Sequence, residues 1–238
     1  MSLKDVLVYD QESERHHWVQ KQLASLQAGS KLLDAGCGPQ IYRNDCAKLQ
    51  YSSQDFGGYV PGGDGTGLQM PDWQYGKIDY VCDIWNIPEK DAKFDTVICT
   101  EVLEHVPYPR ETIVELARLL KPGGLLILTV PYACLPHMSP YFFSSGYSRE
   151  FYEHVFAQCG LQTEEMTPCG NGFYYVGQEI VRLRAAIRNP VLRALYLVLL
   201  GPLLLLMRGI GSGPAGPRAE ALPFGYFIRA VKLVGTGG

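Results

Sequence analysis

No two of the seven cysteines stand at C-x-x-C spacing, so the chain lacks both a zinc-ribbon pattern and a dithiol redox motif. Their odd number, scattered through apolar runs, points to reduced thiols in a cytoplasmic protein. Basic excess is lacking too: 21 Lys and Arg face 24 Asp and Glu, a net charge of −3, which removes any global pull on nucleic acid. The stretch MSLKDVLVYDQ has no basic start followed by an apolar run, which argues against a signal peptide. No uninterrupted apolar run reaches the ~20 residues of a spanning helix. The longest, over 194–207 (ALYLVLLGPLLLLM), has fourteen residues and a central Gly201-Pro202 expected to kink or break a helix.

A glycine is missing as well. The stretch LLDAGCGPQ over 32–40 looks like a nucleotide-binding turn, but G-x-G-x-x-G would need glycine at Ile41 and G-x-G-x-G would need it at Gln40. That absence leaves two ligands open, a dinucleotide and S-adenosylmethionine.

What is present is a globular composition, 47% hydrophobic and 19% charged, in 238 residues, enough for one well-buried α/β domain. Apolar spacing predicts a helix over 12–26, and short apolar runs predict strands over 31–34, 51–55, 78–83, 94–100 and 125–130. An amphipathic helix over 110–121 is expected to stop at Pro122-Gly123-Gly124. Further on, a helix over 148–159, a strand over 161–166 and a last strand over 224–234 are expected. This alternation implies a mostly parallel sheet with helices on both faces. One domain over 1–238 is expected, with an apolar, arginine-flanked insertion at about 178–222 before the last strand.

In such a sheet, ligands bind beyond the carboxyl ends of the strands. The residues there are Gly36-Cys37-Gly38 after the first strand, Asp55 after the second, Asp83 after the third, and Thr100 with Glu101 after the fourth. An acid at 55 can accept from both hydroxyls of a ribose, and one at 83 from an adenine amino group. A dinucleotide needs a helix N-terminus against its pyrophosphate, hence the third glycine that Ile41 replaces. S-adenosylmethionine carries no phosphate and a sulfonium cation, which the acids Asp34, Asp55, Asp83 and Glu101 suit.

In order, LLDAGCG, SSQDF, VCDIWNIP, KFDTVICTEVLEHV and ELARLLKPGGLLILTVP resemble class I S-adenosylmethionine-dependent methyltransferases, strongly over 30–132. Within that family the chain is similar to bacterial enzymes of surface-polysaccharide or secondary-metabolite pathways. The resemblance implies an α/β fold with a Rossmann-like seven-stranded sheet, mostly parallel with an antiparallel last strand. It implies that Asp34, Gly36, Cys37 and Gly38 frame the methionine part of the donor. Asp55 would hold the ribose and Phe56 stack near adenine. Asp83 and Ile84 would meet the adenine edge, with Thr100 and Glu101 beside the donor.

The segment Glu101-Val102-Leu103-Glu104-His105 resembles an E-x-x-E-H stretch that binds a divalent metal in quinone-pathway and small-RNA methyltransferases. Glu101, Glu104, His105 and His137 would then be the ligands. Ahead of that reading stands His105 or His137 as a metal-free general base, because imidazole titrates near neutral pH. Beside both stands plain packing at a helix start.

The expected activity is methyl transfer to an oxygen of a small-molecule or glycan- or lipid-linked acceptor, with no nucleic-acid partner. Two other readings stay open: a non-catalytic membrane- or partner-binding protein on this scaffold, and an NAD-dependent oxidoreductase. Arg182, Arg184, Arg188, Arg193 and Arg208 flank the apolar run. That pattern suits shallow insertion at an anionic membrane surface, a homodimer contact through residues 191–210, or packing on the domain itself. Localisation is accordingly expected to be cytoplasmic, with a peripheral place at the inner membrane surface under the first reading.

Overall fold

Lys31–Ala35 forms β1, which pairs in parallel with β2 (Gln50–Asp55) on one side and β4 (Phe94–Thr100) on the other. The short β3 (Tyr80–Val81) extends the sheet beyond β2, and β5 (Leu120–Pro131) extends it beyond β4. β7 (Gly225–Lys232) lies antiparallel between β5 and β6 (Leu161–Cys169), giving the order β3-β2-β1-β4-β5-β7-β6. The order reverses at β1, so the crevice opens beyond the carboxyl ends of β1, β2 and β4. The computed structural model behind this description covers residues 9–70, 72–213 and 222–234.

Period-two alternation divides the strand residues between two cores. Leu33, Val97, Cys99, Leu126 and Leu128 point to a face covered by α2 (Pro109–Leu119) and α3 (Arg149–Cys159), with Ile113, Leu116, Tyr152 and Phe156 buried there. Leu32, Ile98 and Ile127 point the other way, onto Val19 and Leu23 of α1 (Gln11–Ser25). Burial on both faces explains why FDTVICT shows no strict alternation of apolar and polar residues. The helix boundaries follow local chemistry. Pro109 occupies the first turn of α2, the Ser148 hydroxyl accepts from Phe151 N at the start of α3, and Gly160 (φ 69°) closes it in the left-handed conformation.

The described residues form two compact units, one from His16–Thr167 with Tyr226–Gly238, the other from Met1–Arg15 with Pro168–Gly225. The second holds α4 (Gly172–Leu183) and α5 (Pro190–Gly211), both started by asparagine caps, Asn171 and Asn189. Tyr196 Oη donates to the Ile180 carbonyl (2.8 Å), Asn171 Nδ2 donates to Gly211 O (2.9 Å), and Leu204 is buried against Ile180 and Val181. Tyr9 stacks on Tyr174 with ring centroids 4.4 Å apart.

Three expectations are corrected. The strand expected over 78–83 shrinks to two residues, and side-chain bonds to β2 stand beside the main-chain bonds Asp79 N to Ser53 O and Cys82 N to Asp55 O (both 3.2 Å). Asp79 Oδ2 accepts from Ser53 N (2.9 Å), and Gln54 Nε2 donates to Cys82 O (2.8 Å). Lys121-Pro122-Gly123-Gly124 does not precede β5 but lies within it, absorbed by a register shift between Phe94 and Thr96. Gly201-Pro202 does not break the apolar helix. α5 runs through Pro202 for 22 residues, long and apolar enough to cross a membrane by length and composition. Asn189 at its start and leucines on both sides carry the helix through the lost bond of Pro202. Of the insertion expected at about 178–222, residues 214–221 lie outside the described residues.

Alternation also points Asp34 into the α1-side core, where it is buried and accepts from Tyr51 Oη at 2.7 Å. Burial raises its carboxyl pKa to about 7, opposed by the Tyr51 bond and reinforced by Asp55. A raised folded-state pKa means that the unfolded chain ionises first as pH rises. Stability therefore falls between the unfolded value near 3.8 and about 7, then levels off. The loss is on the order of 4 kcal/mol. In Asp34→Asn, which keeps an acceptor for Tyr51, unfolding temperatures measured across that window should decline much less than in the wild type.

Candidate active site

The turn after β1 is held by the strand next to it. Gly36 N and Cys37 N both donate to the Gln54 carbonyl at 2.9 Å, and Gly36 N also reaches Gln54 Oε1 at 3.1 Å. Gly38 N donates to Asp55 Oδ2 (2.9 Å), and Gly57 N donates to the other oxygen of that carboxylate (2.9 Å). Burial raises the Asp55 pKa, while the Gly57 and Gly38 amides oppose the rise.

The residue in the place of the absent glycine, Gln40, adopts φ 58°, the left-handed conformation a glycine would take without strain. Its side chain offsets that cost: Nε2 donates to Lys77 O (2.9 Å), and Oε1 accepts from Arg43 (2.6 Å). Beyond the turn, residues 44–46 form only a three-residue 3₁₀ helix, and Ile41 is exposed. No long helix starts here to face a pyrophosphate.

A cavity of about 250 Å³ opens at these strand ends. Of the residues expected at a donor site, Gly36, Asp55, Phe56, Asp83, Ile84 and Glu101 line it. Asp34, Cys37, Gly38 and Thr100 do not, Asp34 lying beneath the turn in the core. Glu101 follows β4 in a left-handed conformation (φ 54°), its amide bonded to Thr129 O at 2.9 Å.

The sequence reading missed much of the remaining wall: Tyr59, Trp73, Tyr75, Trp85 and Met138. Tyr59, Trp73 and Tyr75 come from the glycine-rich loop over 57–76, where the Trp73 ring meets Tyr59 and Tyr75 edge-on. Gly67 lets this loop lie against Pro136, and Leu68 N donates to Pro136 O (3.0 Å) while Met138 N donates to Leu68 O (2.8 Å). The available signal was three large aromatics in a loop with no periodicity to bury them.

After β4, Leu103–His105 forms a 3₁₀ turn that buries Glu104 and brings His105 into the cavity wall. His105 Nδ1 lies 2.5 Å from Tyr141 O, and His137 Nδ1 lies 2.9 Å from Leu135 O. A carbonyl only accepts, so each Nδ1 carries a proton, and in the neutral ring of His105 the lone pair is on Nε2. Both Nε2 atoms face one carboxylate oxygen, Glu104 Oε1, at 3.7 Å from His105 and 4.0 Å from His137. The three ligand atoms lie within 4.8 Å of one another; Glu101 is not among them. Burial, with His137 adding to it, lowers the His105 pKa to about 4 against the Tyr141 bond, so the ring is neutral at physiological pH.

An acid-lined, aromatic-walled cleft at the switch point of a seven-stranded sheet with this order defines a Rossmann-like fold of the methyltransferase class. The chain belongs to the family described as "Methyltransferase domain", which matches residues 9–165. It is 30% identical over 135 residues to a ubiquinone biosynthesis O-methyltransferase of Dechloromonas aromatica, a match over 51% of this chain and 52% of that one. With the enzyme of the same description from Maricaulis maris it shares 36% over 107 residues, 42% of this chain and 39% of that one. The chain thus spans about half the length, or less, of these relatives. Among solved structures, the [4+2]-cyclase SpnF superposes with a TM-score of 0.56 at 20% identity, over 96% of this chain and 84% of that one. This last likeness concerns the fold alone.

A Cβ on Gly38 would stand 2.6 Å from Trp73 Cζ2, whereas one on Gly29, also at positive φ, would meet nothing within 4 Å. Both alanine variants bear the backbone strain, and only Gly38→Ala adds the clash. Gly38→Ala should therefore lower the unfolding temperature well beyond Gly29→Ala and shift tryptophan emission, while Gly29→Ala leaves the emission unchanged.

Proposed function

We propose that this chain transfers a methyl group from S-adenosylmethionine to an oxygen of a small or lipid- or glycan-linked acceptor. The carrying observation is the cleft wall, where Asp55, Asp83 and Glu101 supply carboxylates at three successive strand ends among aromatic rings. That environment suits a sulfonium cation and an adenosine. The absence of a long helix after the turn counts against a pyrophosphate and so against the NAD reading. Membership of the methyltransferase-domain family supports the reaction class, and the O-methyltransferase relatives support oxygen as the atom methylated.

In this reading Asp55 accepts from the ribose hydroxyls, Phe56 stacks near the adenine, and Ile84 meets the adenine edge beside Asp83, which accepts from its amino group. Gly36 gives the backbone room to approach the methionine part. The acceptor oxygen attacks the methyl carbon in line with the departing sulfur, which leaves as a neutral thioether. Positioning supplies most of the acceleration. The hydroxyl proton passes to an imidazole Nε2, that of His105 or His137, both held as lone-pair acceptors by their Nδ1 bonds.

A second reading of the same groups is favoured by the convergence of Glu104, His105 and His137. Two imidazole lone pairs and a carboxylate fit a divalent cation. When bound there, such an ion would lower the pKa of an acceptor hydroxyl. The chain's contribution is then orientation, through the Tyr141 and Leu135 carbonyls.

Titration calorimetry with S-adenosylmethionine should show saturable binding that Asp55→Ala weakens at least tenfold; no heat with the wild type would overturn the proposal. If His105 is the base, kcat/KM stays level through the ordinary histidine range and falls only as pH approaches about 4. Activity that survives chelation and is untouched by Glu104→Gln would remove the metal reading and leave methyl transfer standing.

A further inference from the structure

A helix at the surface of a water-soluble domain normally carries a polar outer face. α5 has none. Its inner stripe, Tyr196, Leu200, Leu204 and Gly211, faces α4, and its other side exposes Val198, Leu199 and Leu206 at 71%, 67% and 59%. Only Arg193, Tyr196 and Arg208 interrupt the apolar residues of its 22 positions. From 168 to 213 the chain holds five arginines and a single carboxylate, Glu179, a net +4 in a protein of net −3. Arg184, Arg188 and Arg193 cluster where α4 passes into α5, and Arg208 stands near the other end; all four are exposed.

We infer that α4 and α5 form a docking hairpin for an anionic lipid bilayer, with α5 lying in the interfacial plane and not across it. The sheet topology decides between lying and crossing. β6 precedes the hairpin and β7 follows it, and the two are neighbours in one sheet, so the chain must return to the side it left. Thirteen residues separate Gly211 from Gly225. As a helix they would span about 20 Å, short of the ~30 Å hydrocarbon core, and as extended chain they would carry unpaired amides through lipid. α4, with 12 residues, is too short to supply the second crossing. α5 therefore meets the spanning criterion of length while its connections forbid a span.

Charge decides between a bilayer and a second copy of the chain. In a two-fold contact through α5, each copy would present the same arginine-rich, carboxylate-poor surface, and nothing on the hairpin beyond Glu179 would neutralise it. Anionic headgroups neutralise all of it while the apolar face sinks among acyl chains.

The test is sedimentation of the full chain with preformed vesicles of phosphatidylcholine alone, or mixed two to one with phosphatidylglycerol. Binding is expected to the mixed vesicles, reversible on dilution and weak without the anionic lipid. The triple variant Arg184→Gln, Arg188→Gln, Arg193→Gln should lower partitioning about a hundredfold. Val198→Asp with Leu199→Asp should abolish it. All the altered side chains are exposed, and Arg193 gives up only its exposed bonds to the Ile187 carbonyl (3.0 and 2.8 Å), so unfolding temperatures should stay close to the wild-type value and certify the fold. A wild-type chain that stays in the supernatant with both vesicles overturns the inference. So does equal binding to both, retention after dilution, or a solution dimer that Leu199→Asp dissociates. None of these readouts depends on S-adenosylmethionine, so the docking and transfer readings fail separately.

Discussion

The site hangs on the Asp55 carboxylate. One of its oxygens takes the amide of Gly38 and the other the amide of Gly57, so a single buried acid ties the turn after β1 to the loop after β2. Burial works against the charged form of this acid, and the two amides, fixed donors in a region of low dielectric, oppose that effect without cancelling it. Under the transfer reading, a ribose at that carboxylate would meet an acceptor whose position is already set by the backbone. The glycine turn needs no third glycine for this purpose. Gln40 takes up the left-handed bend, and its amide fastens the far end of the glycine-rich loop through Lys77.

That loop links the two ends of the cleft. Its aromatic residues stand in the cleft wall, and its Leu68 exchanges backbone bonds with the residues flanking His137. The Asp64 carboxylate also accepts from Ser139 Oγ at 2.9 Å. The loop and the segment that carries His137 and Met138 are therefore fastened to each other by backbone bonds. Under the transfer reading this couples donor occupancy to the shape of the acceptor end.

The sequence disclosed the scaffold well, because strands buried on both faces leave apolar runs and because acids stand directly after them. Asp55, Asp83 and Glu101 were legible for that reason. Asp34 reads the same way by position, yet the pleat directs it to the opposite side, under the turn and onto Tyr51. Trp73 and Tyr75 were not legible as wall residues, since their placement depends on close backbone approaches at Gly67 and Gly38 that no periodicity records. The same holds for β3, whose short ladder is flanked by bonds from the Asp79 and Gln54 side chains. For α5, local propensity misled in the other direction. A Gly-Pro pair reads as a break, but a strong cap and leucine-rich flanks outweigh one missing bond.

The strand order has a consequence for synthesis. β7 lies between β5 and β6, so until it arrives β6 has no partner and β5 has an open edge. On the ribosome, α5 emerges before β7. The apolar helix is therefore free in the nascent chain while the sheet is still incomplete, and whatever covers that helix can engage it first. Closure of the sheet then becomes a late event in biogenesis, in which the last strand is threaded into a slot whose two walls have waited for it.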